Sequence, residues 1–189
     1  MRVIAGSARS MPLRTVKGLD VRPTTDRTKE TLFNIIQSYI PGCRFLDLFA
    51  GSGSIGIEAL SRGAEAAFFV EKDPRAQKLI LENLEFTKLD DRAVLKKGDV
   101  FSQLPLLERE DPFDVIFMDP PFRLHLEKDV LTYLKDSGIP SDDAVIIVEC
   151  EPSTDFSYLP ELGFDIIKQK IYGNSSHVFL KKSRRKEDE

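Results

Sequence analysis

The stretch Phe45-Leu46-Asp47-Leu48-Phe49-Ala50-Gly51-Ser52-Gly53-Ser54-Ile55-Gly56-Ile57-Glu58-Ala59-Leu60 decides the fold. Residues 45–49 are apolar except for Asp47, the pattern of a strand buried on both faces. Residues 50–53 form a tight glycine turn, and 54–62 continue as a helix closed by Gly63. Gly51-x-Gly53-x-x-Gly56 between a strand and a helix lets the backbone approach a ligand and lets the helix lie close to the sheet.

Working outward, the same alternation repeats. Residues 66–70 read as a second strand ending in Glu71, and Asp73-Pro74 gives a helix N-cap followed by proline at the first helical position. That helix runs through Leu79, Ile80 and Asn83. Residues 93–97 are a third strand followed by Gly98-Asp99, and 114–118 a fourth followed by Asp119-Pro120-Pro121-Phe122. A helix covers 126–135 and a fifth strand covers 144–150. Residues 164–172 and 177–182, joined by Gly173-Asn174-Ser175, read as a hairpin. The expectation is an α/β fold: a parallel sheet covered on both faces, with an antiparallel pair at its end.

The N-terminal part differs. Residues 1–23 carry Gly6, Pro12, Gly18 and Pro23 and read as extended segments and turns with a short hairpin. From Thr24 the pattern is helical, with Asp26 as N-cap, Leu32, Phe33, Ile36 and Ile40 on one face, and Pro41-Gly42 as the stop. The formal net charge of −4 hides an asymmetry. Residues 1–44 hold eight Lys/Arg against three Asp/Glu, a net +5, and the remainder carries −9. A basic arm on an acidic body suits a phosphate-bearing partner.

Composition excludes several classes. A chain of 189 residues suits one domain. It holds 41% hydrophobic residues, enough for a core, but no apolar run near the roughly 20 residues of a membrane helix. The N-terminus lacks the apolar stretch of a signal peptide. Cys43 and Cys150 have no metal or redox spacing and read as buried thiols in a reducing cytoplasm.

Acids stand at or near the ends of four successive strands: Asp47, Glu71, Asp99 and Asp119. In an open parallel sheet those ends line the ligand crevice. Glu71, twenty positions beyond Gly51, could accept hydrogen bonds from ribose hydroxyls, as in a nicotinamide dinucleotide enzyme. An acid-lined crevice repels a pyrophosphate and favours S-adenosylmethionine, a net cation with a sulfonium and an ammonium group. Asp119-Pro120-Pro121-Phe122 then makes a stiff turn. Its carboxylate and carbonyl oxygens form a fixed acceptor cluster for an exocyclic amine, and Phe122 offers a surface on which a base can stack. His125 and His177 stand isolated and read as surface or packing residues, and no metal cluster is present.

Phe45 to Gly53, Glu71, Asp99 and Asp119 to Phe122 resemble class I S-adenosylmethionine-dependent methyltransferases of the amine-modifying type. Arg22-Pro23-Thr24-Thr25-Asp26-Arg27-Thr28-Lys29-Glu30-Thr31-Leu32-Phe33-Asn34 and the opening Arg2-Val3-Ile4-Ala5-Gly6 resemble the bacterial RsmD family. The resemblance covers nearly the whole chain. It implies a Rossmann-like class I methyltransferase with a seven-stranded, mostly parallel sheet. It also implies a single domain over 1–189: a basic arm and helix over 1–40, a catalytic core over 41–182 and a charged tail over 183–189.

The activity implied is methylation of the N2 amine of a guanine in 16S rRNA, on the small ribosomal subunit or its assembly intermediate, by a cytoplasmic monomer using S-adenosylmethionine. Asp47, Phe49, Gly51 and Gly53 would then line the methionine end, Glu71 the ribose, and Asp99 and Val100 the adenine. Asp119, Pro120, Pro121 and Phe122 would hold the acceptor base, with Asp119 also bordering the cofactor, and Arg22, Arg27 and Lys29 would serve the RNA. The rivals are a DNA amine methyltransferase sharing the tetrad, an NAD-binding oxidoreductase resting on the glycine turn, and a non-enzymatic RNA-binding assembly factor.

Overall fold

The computed structural model describes residues 1–15, 25–122 and 124–183. In chain order its elements are α1 (Asp26–Ile35), β1 (Arg44–Asp47), α2 (Ser54–Ser61), β2 (Ala66–Glu71), α3 (Pro74–Thr87), β3 (Ala93–Lys97), α4 (Val100–Leu107), β4 (Phe113–Met118), α5 (Leu126–Asp136), β5 (Pro140–Cys150), α6 (Leu159–Leu162), β6 (Phe164–Tyr172) and β7 (Ser175–Lys182). The strands form one seven-stranded sheet in the order β3-β2-β1-β4-β5-β7-β6. The first five pair in parallel, and β7 lies antiparallel between β5 and β6.

Alternate residues of the apolar strands feed two cores, one on each face of the sheet. Phe45, Phe69, Phe117, Ile147 and Phe179 pack on one face with residues of α1, α2 and α3. Leu46, Phe68, Ile116, Ile146 and Leu180 pack on the other with α4 and α5. Gly56 sets how closely α2 approaches the first face. A Cβ there would stand 2.3 Å from the Phe69 ring, so any side chain would push the helix, and the glycine turn before it, off the sheet.

The N-terminal segment belongs to the first core. The Val3 amide donates to the Met11 carbonyl at 3.0 Å and Ser10 to Val3 at 2.8 Å, closing a small hairpin with an antiparallel bridge between Arg2 and Pro12. Val3, Ala8 and Leu13 from this segment are buried. The cap of α1 stands one residue before the expected one: Thr25 holds that position and its hydroxyl accepts from the Thr28 amide, while Asp26 is the first helical residue. Asp26 instead pairs with Arg2 at 3.2 Å.

Lys29 corrects the sequence reading. It was expected to contact RNA, yet it is fully buried. Its Nζ donates to the Arg2 carbonyl at 2.7 Å and lies 3.4 Å from Glu58 Oε2. Burial pulls its ammonium below the usual lysine range, and Glu58 opposes that shift. Glu58, also fully buried, accepts from the Ile4 amide at 2.8 Å, the Ala5 amide at 3.0 Å and Arg62 Nε at 2.7 Å. One carboxylate thus fastens the N-terminal hairpin and α1 to α2. Glu58→Ala would strand the Lys29 charge and two amides, so we expect a loss of about 3–5 kcal/mol in urea unfolding. Arg27→Ala, at an exposed position, should change stability by less than about 0.5 kcal/mol. Equal effects would contradict the network.

Candidate functional site

The strand order changes direction between β1 and β4, whose carboxyl ends therefore open a crevice. Asp47 ends β1 opposite Phe117 of β4, and Asp119 lies just past β4, two residues beyond Phe117. Side chains two apart on an extended chain share a face, so Asp47 and Asp119 both turn to the face that carries α1. Fold and sequence together explain why these two acids meet: each ends an apolar strand at the switch point.

Asp47 is 1% exposed, and neither of its carboxyl oxygens has a hydrogen-bond partner among the described residues. Burial pushes its pKa up to about 7; the Gly56 and Phe49 amides oppose the shift and the Glu71 charge adds to it. Burial also holds Asp119 well above the ordinary carboxylate range, and Glu149 and Asp47 push it further. Cationic or hydrogen-bond-donating ligands would relieve both groups.

Glu71 ends β2 with its carboxylate spanning the glycine turn. Oε2 accepts from the Gly51 amide at 2.7 Å and Oε1 from the Asp73 amide at 2.8 Å. Each oxygen keeps a second lone-pair direction for a ligand hydroxyl. With its first turn amide committed to a carboxylate, this loop suits a pyrophosphate poorly, which counts against the dinucleotide reading. Gly53 adopts φ +77°, the left-handed conformation that turns the chain into α2. Phe49 is half-buried behind this turn. Asp99 caps α4, accepting from the Phe101 amide at 3.0 Å, and Val100 behind it is buried.

Pro120 is buried, Phe122 half-buried and Pro121 exposed, so the turn presents one ring to solvent while its base is anchored. Of the basic candidates, Arg27 is exposed, Lys29 is withdrawn into the core, and Arg22 lies outside the described residues.

Two features escaped the sequence reading. His177 takes the packing role of the two expected, but it is not isolated: it is fully buried on β7, with Nε2 3.1 Å from Glu149 Oε2, a pairing the sequence did not show. Glu149, 8% exposed, thus adds a fifth acid to the crevice edge. Its signal is the antiparallel pairing of β7 with β5, which makes Glu149 and His177 cross-strand neighbours and is not legible in the sequence. Asn83 is the second. Its Oδ1 accepts from the Arg14 amide at 2.9 Å, and its Nδ2 faces the Arg14 and Ser52 carbonyls at 3.0 Å each. It ties the N-terminal segment to the glycine turn. His125, by contrast, is exposed.

The parallel sheet with a hairpin strand inserted near one edge, and acids at the switch point, define a methyltransferase of the class I type. The family model described as Conserved hypothetical protein 95 matches residues 1–181, and the chain belongs to this family. The Bacillus subtilis (strain 168) protein YlbH is 38% identical over 185 residues, covering 96% of this chain and 99% of that one. Ribosomal RNA small subunit methyltransferase D of Escherichia coli (strain K12) is 33% identical over 177 residues, covering 94% and 87%. The solved structure of yhhF from Escherichia coli superposes with a TM-score of 0.84 at 34% identity, covering 97% and 98%.

Asp47→Asn tests the electrostatics of the ligand-free site. The folded carboxyl holds its proton more tightly than the unfolded one. The stability it contributes is therefore present below its unfolded pKa and is lost as pH rises toward about 7. In thermal melts the variant should exceed the parent at about pH 8, with the gap closing toward about pH 4. A variant that melts lower than the parent at the alkaline end would contradict this.

Proposed function

We propose that this protein is an S-adenosylmethionine-dependent methyltransferase that modifies the N2 amine of a guanine in 16S rRNA of the small ribosomal subunit. The observation that carries the reading is the partnerless Asp47 carboxyl placed across the switch point from Asp119 and its proline turn. The Escherichia coli relative, a small-subunit ribosomal RNA methyltransferase by name, supports the same substrate class. An rRNA substrate supports a cytoplasmic location.

The residues fit the cofactor on chemical grounds. When bound, S-adenosylmethionine supplies an activated methyl group on a sulfonium and brings an ammonium beside it. Asp47 takes the ammonium, which ends the isolation of its carboxyl. Glu71 would accept the ribose hydroxyls, Gly51, where a Cβ would meet nothing within 4 Å, would leave room for the methionine end beside Phe49, Gly53 would line it with its backbone, and Asp99 and Val100 would border the adenine. Asp47 and Glu71 would thereby acquire donors.

Asp119 and the backbone carbonyls of the proline turn accept the two N–H bonds of the guanine amine, while Phe122 stacks on the ring. This turns the nitrogen lone pair out of conjugation and toward the methyl group. The amine must also lose a proton. Asp119 takes it, and the burial and neighbouring charges that raise its pKa make it the stronger base. Arg27, together with Arg22, meets the RNA phosphates.

Undermethylated small-subunit particles and tritiated cofactor test the reading. The parent should place label in N2-methylguanosine after nucleoside digestion. Asp119→Ala should lower turnover by about 100- to 1,000-fold with cofactor affinity nearly retained. Label in methylated adenine or cytosine, or near-normal turnover by Asp119→Ala, would contradict it. Arg27→Ala should weaken RNA binding uniformly and reduce the slope of log affinity against log salt by about 1. An unchanged slope would remove Arg27 from the RNA interface.

A further inference from the structure

The carboxyl group of Glu149 is unexplained by methyl transfer alone. Met118 of β4 pairs with Val148 of β5, so the next rung sets Asp119 beside Glu149 at the edge of the crevice. Glu149 and Asp119 follow Ile147 and Phe117 by two residues each, and both therefore face the side of the sheet that carries α1. Two acids side by side and largely buried repel each other, and Glu149 is the leading charge that disfavours ionisation of Asp119. An apolar residue at 149 would relieve that repulsion.

The fold nevertheless fixes this group. Glu149 Oε2 lies 3.1 Å from His177 Nε2, and Oε1 has no hydrogen bond among the described residues. The His177 ring is fully buried and walled by Phe117, Tyr172 and Phe179, with centroids 5.9, 5.0 and 6.4 Å away. Among the described residues Tyr172 and His177 each leave a polar atom, Oη and Nδ1, without a partner. A side chain held on one oxygen, with the other free at the crevice edge, is oriented for a donor that comes from outside.

Base chemistry identifies that donor. Guanine presents its amine next to a ring N1–H, two donors side by side. In adenine and cytosine the ring nitrogen next to the amine is an acceptor. One carboxyl group can hold an amine on any of the three bases. Two adjacent carboxylates, both ionised, match only the double-donor edge, because a lone pair facing the second is repelled. We propose that Glu149, steered by His177, selects guanine by accepting its N1–H while Asp119 accepts the N2 amine. This rests on the guanine reading above and names the group that enforces it. Glu149 is a specificity residue in contact with the base, and His177 is a positioning residue acting through it.

The test uses small-subunit particles reconstituted with 16S rRNA that carries either the natural target guanosine or 2-aminopurine riboside at that position. 2-Aminopurine keeps the amine and the stacking face but has an acceptor at N1. The readout is kcat/KM for tritium transfer, with S-adenosylhomocysteine-induced melting shifts to show that each variant keeps its cofactor pocket. The parent should favour guanosine by at least about 100-fold, since a site built to receive an N–H rejects an analogue that lacks it. In Glu149→Gln the amide can donate to the analogue's N1, so the preference should collapse to within about tenfold. His177→Phe should lose much of the preference, and His177→Gln, which keeps an N–H near the Nε2 position, should restore it.

A Glu149→Gln enzyme that turns over more slowly yet keeps the parental preference would overturn the proposal and leave the pair a structural role. A parent that places no methyl on guanine N2 in these particles would instead overturn the function reading, and this proposal with it.

Discussion

A carboxyl group buried with nothing opposite it is a position that folding alone does not favour. Asp47 occupies such a position at the end of the central strand, and the rest of the crevice is arranged around it. Its neutral form is tolerable in the empty protein because burial holds the proton on it near neutrality. Its charged form becomes favourable only when a cation arrives. Glu71 and Asp99 each have backbone donors of their own: Glu71 the Gly51 and Asp73 amides, Asp99 the Phe101 amide. Among the described residues Asp47 and Asp119 have no cation beside them, and the Gly56 and Phe49 amides only partly oppose the effect of burial on Asp47.

Positioning these groups falls to the other side of the molecule. The glycine turn that follows Asp47 is held to α3 by Asn83, which also bonds the Arg14 backbone. Helix α2 behind the turn is held to the N-terminal hairpin and α1 by Glu58. The N-terminal segment is therefore hydrogen-bonded both to the glycine turn, through Asn83, and to α2, through Glu58.

Local patterns in the chain carried much of this. Apolar strands punctuated by glycine, Asp-Pro and the proline tetrad are signals within a few residues of one another, and β1 to β4 and the hairpin stand close to where those signals put them. Helix α4 left little trace because Pro105 interrupts it, a residue that usually marks a helix boundary. The N-cap of α1 shifted by one because Thr25 and Asp26 are both good caps, and the Arg2 guanidinium draws Asp26 away. Lys29 was misread, and the partner of His177 was missed, for a common reason. Each has its partner, Glu58 or Glu149, 28 or more positions away, so only the folded chain shows the pairing. A lysine in a basic run looks solvated until the helix carrying it is seen to turn inward.

The central claim is that the empty site stores a proton on Asp47 which the cofactor's cation displaces. Calorimetric titration of S-adenosylmethionine at about pH 6, in buffers of differing ionisation enthalpy, measures the protons exchanged on binding. The account predicts release of a substantial fraction of a proton per site, fading toward about pH 8 and abolished in Asp47→Asn. Binding heats that do not depend on the buffer, or net proton uptake, would contradict it.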